Sequence, residues 1–92
     1  LAQKPQAFAL EQNYPNPFNP TTVIRYQLPV ASRVTLELFD VLGRKVATLV
    51  EAKQDAGFHE YVLNMSGFSS GMYFYRLKAA DWSSTKKLMF LK

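Results

Sequence analysis

Hydrophobic and polar residues alternate with a period of two along most of the chain. The clearest run lies at residues 21–28, where Ile24, Tyr26 and Leu28 fall on one side. A period of two is typical of a β-strand with one buried face. The same pattern predicts further strands over residues 33–39, 45–50, 58–64, 72–79 and 85–91. The expected inward residues of three of these strands are Val34, Leu36 and Leu38, then His59, Tyr61 and Leu63, then Tyr73, Tyr75 and Leu77.

Turn-forming residues separate the predicted strands. The range 40–44 is typical of a turn in which Gly43 takes a positive φ. Residues 51–56 predict a polar loop closed by Gly57, and residues 81–84 predict another turn. No helical period is longer than one turn. Regular short strands with such turns favour a β-sandwich or a small barrel.

A glycine and a tyrosine at the start of the strand at 72–79 narrow the choice of fold. Tyr73 lies two residues after Gly71. Immunoglobulin-like sandwiches use a tyrosine at this place as a corner brace, with its hydroxyl bonded to upstream backbone. We therefore expect an all-β fold, an immunoglobulin-like β-sandwich of about seven antiparallel strands. The seventh would be a short edge strand at residues 8–11.

The stretch from Asn13 to Pro20 breaks the alternation. It holds three of the five prolines, at positions 15, 17 and 20, together with three asparagines. Proline has no backbone N–H and disfavours helix in the residue before it. We therefore expect an extended or turning segment with few low-energy shapes, pinned by Tyr14 and Phe18. It is either a stiff lid over the core or a binding segment that loses little conformational entropy when a partner orders it.

Composition and charge indicate one modest domain. The chain has 92 residues, 48% of them hydrophobic, and no cysteine, which excludes disulfides and thiolate ligands. Its net charge is +4, and residues 76–92 contain five basic residues and one acid. A basic C-terminal region can attract anionic partners. We favour the interpretation that these lysines are solvated and prevent other chains from pairing with an exposed strand edge. No apolar run approaches the roughly 20 residues that span a bilayer.

Candidate catalytic groups are few. His59 is the single histidine, and Glu60 beside it points to the opposite face of its strand. A zinc site, a Ser-His-Asp triad, a carboxylate pair and a phosphate-binding glycine loop all lack the residues or the spacing that they need. We therefore predict no enzyme activity, no metal, no cofactor and no small-molecule substrate.

Two binding functions are compatible with this composition. The mixture of aromatic and basic residues that binds nucleic acid is loosely matched by Phe74, Arg76, Lys78 and Trp82, although core aromatics with a basic rim explain them better. Trp82 or Phe58 is a possible platform for carbohydrate. We predict no nucleic-acid partner, and we retain a structural or carbohydrate-binding accessory module as the alternative function.

Several motifs, in order along the chain, resemble one protein family. They are Asn13-Tyr14-Pro15-Asn16-Pro17-Phe18-Asn19-Pro20, Phe39-Asp40-Val41-Leu42-Gly43-Arg44, Ser70-Gly71-Met72-Tyr73-Phe74-Tyr75 and Lys86-Lys87-Leu88-Met89-Phe90-Leu91-Lys92. Together they resemble the type A C-terminal sorting domains of the bacterial type IX secretion system, from about Leu10 to the end. A weaker resemblance is to the immunoglobulin-like domain of flagellar hook-capping proteins.

The resemblance implies a function that composition and spacing do not give. Such domains stand at the C-terminus of large cargo proteins, which cross the inner membrane by an N-terminal signal peptide and pass through the periplasm. The outer-membrane type IX translocon then recognises the folded domain. A sortase-like peptidase usually removes it, and the cargo is secreted or attached at the cell surface. The chain is accordingly expected to be a non-catalytic C-terminal secretion signal.

The resemblance also implies which residues carry the signal. They are Pro15, Asn16 and Pro17, then Gly71 and Tyr73, then Lys86, Lys87 and Lys92 in the basic last strand. We expect residues 1–11 to be a linker or edge strand that follows an upstream cargo region, and residues 12–92 to be the sorting domain. The lack of an initiator Met fits the end of a longer polypeptide. We find no clear cleavage site in residues 1–12.

Overall fold

The computed structural model describes residues 4–92, which contain seven β-strands. They are β1 (Ala9–Leu10), β2 (Thr21–Leu28), β3 (Ser32–Phe39), β4 (Lys45–Gln54), β5 (Gly57–Asn64), β6 (Gly71–Ala79) and β7 (Trp82–Phe90). The predicted linker or edge strand at residues 1–11 is therefore described only from residue 4, and that part contains β1. Among the described residues there is no helix with the length and hydropathy to cross a membrane.

The strands form two antiparallel sheets. One sheet has the order β1-β2-β5 and the other has the order β4-β3-β6-β7. The chain changes sheet after β2, after β4 and after β5, so strands that are neighbours in a sheet are often distant in sequence. β4 lies beside β3, whereas the constant-type immunoglobulin arrangement keeps the fourth strand in the other sheet. The predicted all-β sandwich of about seven antiparallel strands is confirmed.

The core lies between the sheets and consists mainly of the residues that alternation placed inward. The buried hydrophobic residues are Leu10, Phe18, Ile24, Tyr26, Leu28, Val34, Leu36, Leu38, Leu63, Met65, Tyr73, Tyr75, Leu77, Ala79, Leu88 and Phe90. The sequence pattern does not decide which face of the last strand is buried, because Leu88 with Phe90 and Met89 with Leu91 are both apolar pairs. The structure places Leu88 and Phe90 inward and leaves Met89 half-buried on the outer face.

The polar loop predicted at residues 51–56 is wrong, because β4 continues to Gln54. Ser32 pairs with Gln54, so β4 is paired with β3 up to its last residue, with two register shifts earlier in the strand. β4 is an edge strand with one side open to solvent, which allows polar residues where a central strand would carry apolar ones. The connection to β5 is thereby reduced to residues 55 and 56.

β7 begins three residues earlier than predicted, at Trp82. This residue pairs with Ala79, which leaves only Ala80 and Asp81 in the turn. Ala80 has a φ of 52°, the left-handed conformation that tight two-residue hairpins commonly need. No glycine marks this turn, which is why the sequence pattern misplaced it.

The β3–β4 turn forms as predicted, and Gly43 has a φ of 82°. The Asp40 carboxylate closes the turn by accepting hydrogen bonds from the backbone N–H of Arg44 at 3.0 Å and of Leu42 at 2.9 Å. The bond from the Arg44 N–H is the main reason that the pKa of Asp40 lies below its ordinary value. Gly57, the second predicted structural glycine, begins β5 with a φ of 143°.

Tyr73 occupies the corner position that its place after Gly71 predicts. Its hydroxyl donates a hydrogen bond of 2.8 Å to the carbonyl of Ser69, upstream in the chain. The Phe68 ring meets the Tyr73 ring edge-on, with the ring centroids 6.1 Å apart. The tyrosine therefore ties the preceding connection to the start of β6.

We expect Tyr73→Phe to lower the free energy of unfolding by about 1 kcal/mol, because the Ser69 carbonyl loses its partner. The measurement is urea denaturation at neutral pH. Tyr14→Phe is the matched control, since Tyr14 is 73% exposed and its change should leave the unfolding midpoint where it was. Equal midpoints for the Tyr73 variant and the wild type would contradict the brace.

Candidate recognition site

Residues 13–20, which we call the proline segment, are held at two buried points. Asn13 is 2% exposed and Phe18 is 4% exposed. The four residues between them, 14–17, are all exposed, and we call them the apex. Because both ends are fixed and proline restricts the backbone between them, the apex has little freedom to change shape.

Asn13 anchors the first end through its backbone and its side chain. Its backbone N–H donates to the Tyr75 hydroxyl at 2.7 Å. Its side-chain amide donates to the Thr22 hydroxyl at 3.0 Å and to the Pro15 carbonyl at 3.2 Å. Thr22 donates to the same Pro15 carbonyl at 2.8 Å. These bonds satisfy the polar groups of two buried residues and fix the position at which the apex begins.

Tyr75 is the core residue on which this anchor depends. Its hydroxyl accepts the bond from Asn13 and donates one of 2.7 Å to the Glu11 carbonyl. Burial, only partly offset by the Asn13 bond, raises the pKa of Tyr75 to about 12. Alternation predicted that Tyr75 faces inward but gave it no role, because its partners lie 62 and 64 residues away in sequence. The one sequence feature that could have indicated this role is a tyrosine, with its hydroxyl, at the position where antibody domains carry their second core cysteine.

Phe18 anchors the second end against β7. Its N–H donates to the Met89 carbonyl and its carbonyl accepts from the Leu91 N–H, both at 3.1 Å. Its ring packs on the Phe90 ring, with the centroids 5.5 Å apart. Phe18 therefore pins the segment as expected. Tyr14, which was expected to help, is 73% exposed and is held through its backbone.

The proline segment also covers the free edge of β7. The Asn16 side-chain oxygen accepts a hydrogen bond of 2.9 Å from the Met89 N–H. The Gln12 side chain, just before the segment, donates one of 2.6 Å to the Lys87 carbonyl. Together with the two Phe18 bonds, these bonds give hydrogen-bond partners to backbone groups of Lys87, Met89 and Leu91, which point toward the free edge. Unpaired edge groups are a template for pairing with another chain, and here a segment covers an edge that we expected lysines to guard.

The first two predicted signal motifs lie on opposite sides of β7. Residues 15–17 form most of the apex beside β7, and β6 is the neighbour of β7 on its other side. Gly71, at the start of β6, pairs with Phe90. Tyr73 is 8% exposed, so little of its side chain is open to a partner.

The three lysines of the last motif point in different directions. Lys87 lies on the outer face of its sheet, opposite Phe74. Lys86 alternates with it and lies half-buried on the inner side. Lys92 follows β7, and its backbone N–H donates to the Ser70 hydroxyl at 2.9 Å. These lysines therefore do not form one basic patch.

His59 is a half-buried residue of β5. Its ring stacks on the Tyr26 ring at 5.4 Å, and its Nε2 lies 2.8 Å from the Asp55 carbonyl. Glu60 is exposed and pairs with Arg25 at 3.1 Å, which separates it from the histidine. Within residues 4–92, no three His, Cys, Asp or Glu side chains come together as a metal site.

The aromatic residues considered for carbohydrate binding do not form a joint platform. Trp82 is half-buried and stacks on Phe8, with the ring centroids 5.5 Å apart and the planes at 15°. One face of its indole is therefore covered. Phe58 is 67% exposed but lies in the other sheet, opposite Gln27.

Fold and site together define a small immunoglobulin-like sandwich domain whose most distinctive surface is a rigid, exposed proline-rich apex. Residues 12–91 match the profile of a family described as secretion system C-terminal sorting domain. The match covers most of the chain, so the chain belongs to this family, and the resemblance noted from its motifs is confirmed. No curated protein and no solved structure matches the chain.

Membership of this family gives the function. The domain is a C-terminal sorting signal for type IX secretion, and such a domain forms part of a larger cargo protein that the type IX system handles. The signal directs export to the cell surface or secretion. Nothing in the structure or the comparisons favours the alternative of an accessory module.

The stability of the domain is expected to fall between about pH 10 and about pH 12. Tyr75 has an ordinary pKa of 10.0 and a pKa of about 12 in the fold. The folded state holds this proton more tightly, so the stabilisation is complete below pH 10 and is lost as the pH rises through the folded pKa. Burial also raises the pKa of Tyr26, and it outweighs the hydrogen bond that the Tyr26 hydroxyl donates to the Gln54 side-chain oxygen. The titration of Tyr26 therefore lowers the stability over the same rise in pH.

The check is denaturant unfolding at a series of pH values, with tyrosinate absorbance followed in parallel. Tyr75→Phe is the control, because it removes the titrating hydroxyl. Its free energy of unfolding should depend less on pH over this window than that of the wild type. A wild-type free energy that stays constant up to about pH 12 would contradict the prediction.

Proposed function

We propose that this sorting signal is non-catalytic and that the outer-membrane type IX translocon recognises it in the folded state. The observation that carries the proposal is the anchoring of the proline segment at both ends. Asn13 is fixed through Tyr75 and Phe18 through β7, so the apex takes its shape only when the sandwich is assembled. A rigid surface loses little conformational entropy on binding. A receptor for the apex would therefore bind folded cargo in preference to unfolded cargo.

Pro15, Asn16 and Pro17 are the residues that we propose for direct contact with the receptor. All three are exposed, and two of them are conformationally restricted. Gly71 and Tyr73 would support the contact from β6 by shaping the end of the sandwich. This division of roles agrees with the exposure of the apex and the burial of Tyr73.

Lys86, Lys87 and Lys92 would attract the receptor rather than form a single contact. They differ in direction, but all contribute positive charge near the end of the chain. Charges of this kind raise the rate of association with an acidic partner over a distance of about 8–10 Å at physiological salt.

We further propose that the domain meets this machinery from the periplasm and that a sortase-like peptidase cuts ahead of it. The cargo is then released or attached at the surface. Peptidases cut exposed chain that is not paired in a sheet. The pairing of Ala9 and Leu10 with β2 supports a cut upstream of β1. In this proposal the edge strand within residues 1–11 stays with the sorting domain of residues 12–92 after the cut, because Leu10 is buried in the core.

Export of a reporter tests the proposed function. Residues 1–92 are fused to the C-terminus of a reporter with an inner-membrane signal peptide, in a bacterium with a type IX system. We expect the reporter in the medium or on the cell surface, and in the periplasm when the translocon is deleted. Retention in the periplasm, while an established sorting domain exports the same reporter, would refute the function for that host.

Asn16→Ala separates contact from folding. The Asn16 side chain bonds to Met89 at an exposed position, so its loss should cost less than about 1 kcal/mol of stability. Export of the reporter should nevertheless fall about tenfold if the receptor contacts the apex. Asn64→Ala is the matched control, since the Asn64 oxygen also accepts an exposed backbone bond, from Ser66 at 2.8 Å, but in the other sheet. Equal export of both variants would leave the apex with a structural role alone.

A further inference from the structure

All of the excess positive charge of the domain lies on one face. The outer face of the four-stranded sheet, which we call the basic face, carries six basic residues and two acidic ones. They are Arg33, Lys45, Lys53, Arg76, Lys78 and Lys87, with Glu37 and Glu51. The other charged residues of the chain are five basic and five acidic. The remainder of the domain is therefore neutral, and this face alone accounts for the net charge of +4.

Glu37 orders the centre of the basic face. Its buried carboxylate accepts hydrogen bonds from Arg76 at 3.2 Å and from Lys45 at 3.3 Å. Burial opposes its ionisation, but the two bonds and the charges of Lys45 and Lys78 together outweigh burial. The pKa of Glu37 therefore lies below its ordinary value. The Arg76 guanidinium is also held 4.8 Å from the centroid of the Phe39 ring. Two of the cations are thus positioned before any partner binds.

A groove opens on the basic face beside these cations. It encloses about 220 Å³ and is lined by Phe39, Gly43, Phe74, Arg76 and Thr85. Phe39 and Phe74 are cross-strand partners in β3 and β6, and both are half-buried. The lining is mostly apolar, and the guanidinium of Arg76 supplies its charged part. A groove of this kind suits one apolar side chain that has acidic neighbours.

We infer that the basic face docks on an acidic surface of a protein partner, with an apolar side chain of that partner inserted into the groove. The inference rests on the proposed function, in which the partner is the receptor in the export machinery. Charge complementarity selects an anionic partner, and an apolar pocket next to ordered charges is typical of an interface hot spot. Lys87 lies on the basic face while its carbonyl is bound by Gln12 beside the proline segment, so one receptor can contact the face and the apex together.

The geometry favours a protein over a membrane or a nucleic acid. The Phe39 and Phe74 rings are half-buried, so the groove receives a side chain, whereas a lipid-binding surface inserts apolar side chains that project from it. The exposed apolar residues Val41 and Leu42 lie in the adjoining turn, and neither lines the groove. The Arg76 guanidinium lies over the Phe39 ring, so this ring face is not free to stack on a base. A protein side chain can enter the groove without displacing either group.

Charge reversal in the reporter fusion tests the face. Lys78→Glu with Lys87→Glu should lower export by about tenfold or more, because like charges then oppose the partner. Lys4→Glu with Arg25→Glu makes the same change in net charge away from the face and should leave export near the wild-type level. Urea midpoints of both double variants confirm that each is folded.

The two possible failures are distinguishable. If the wild-type fusion itself stays in the periplasm, the proposed function fails. If the wild type is exported and both folded double variants are exported equally well, the inference about the basic face is overturned while the sorting function stands.

Filling the groove is a second, independent test. Thr85→Trp places a large, strand-compatible side chain at the groove, and we expect export to fall about tenfold. Thr21→Trp is the matched control, since Thr21 is an exposed residue of β2 in the other sheet. Export of the Thr85 variant at the level of the control would overturn the insertion of a side chain.

Direct binding distinguishes the class of partner. The purified domain is titrated with phosphatidylglycerol vesicles and with a single-stranded oligonucleotide, at physiological salt. We expect neither probe to show saturable binding that the Lys78→Glu, Lys87→Glu variant abolishes. Such binding to vesicles or to the oligonucleotide would overturn the assignment of a protein partner in favour of that ligand.

Discussion

The Tyr75 hydroxyl joins parts of the chain that the two sheets alone would leave apart. It accepts a hydrogen bond from Asn13 and donates one to Glu11, and so links β6 in one sheet to the chain that enters the other sheet. A buried group left without its partner carries a desolvation penalty, so both bonds are costly to lose. β1, the proline segment and the start of β2 take their positions around this contact. The apex is consequently a product of the core rather than an independent loop.

The proline segment also has a consequence for the edges of the sandwich. A strand added to cover an edge normally offers a new edge of its own. Here the covering bonds come from Gln12, Asn16 and Phe18, while Pro15 and Pro17 have no N–H to offer outward. The segment therefore covers β7 without extending the sheet. Proline thus accounts both for the stiffness of the apex and for the fact that no further strand pairs beyond the free edge of β7.

Local patterns predicted most strands and their inward faces, because alternation, proline and glycine act within a few residues. The end of β4 and the start of β7 escaped prediction, since polar residues in an edge strand look like a loop. The role of Tyr75 and the basic face depend on which strands are neighbours, and contacts along the whole chain decide this. Lys45 and Lys78, for example, are far apart in sequence but both act on Glu37. The sequence motifs were enough to predict the family. The concentration of positive charge on one face can be recognised only when the pairing of residues across neighbouring strands is known.

The shortness of β1 determines how mechanical load enters the domain. A pull on the chain ahead of β1 meets two paired residues, Ala9 and Leu10, and then the carbonyl of Glu11 with its bond to Tyr75. A few hydrogen bonds in series open more readily than a packed core. Tension from that side would therefore reach the proline segment through β1 and Tyr75 before it reaches the other strands. The shape of the apex would then depend on whether the preceding chain is slack or under tension.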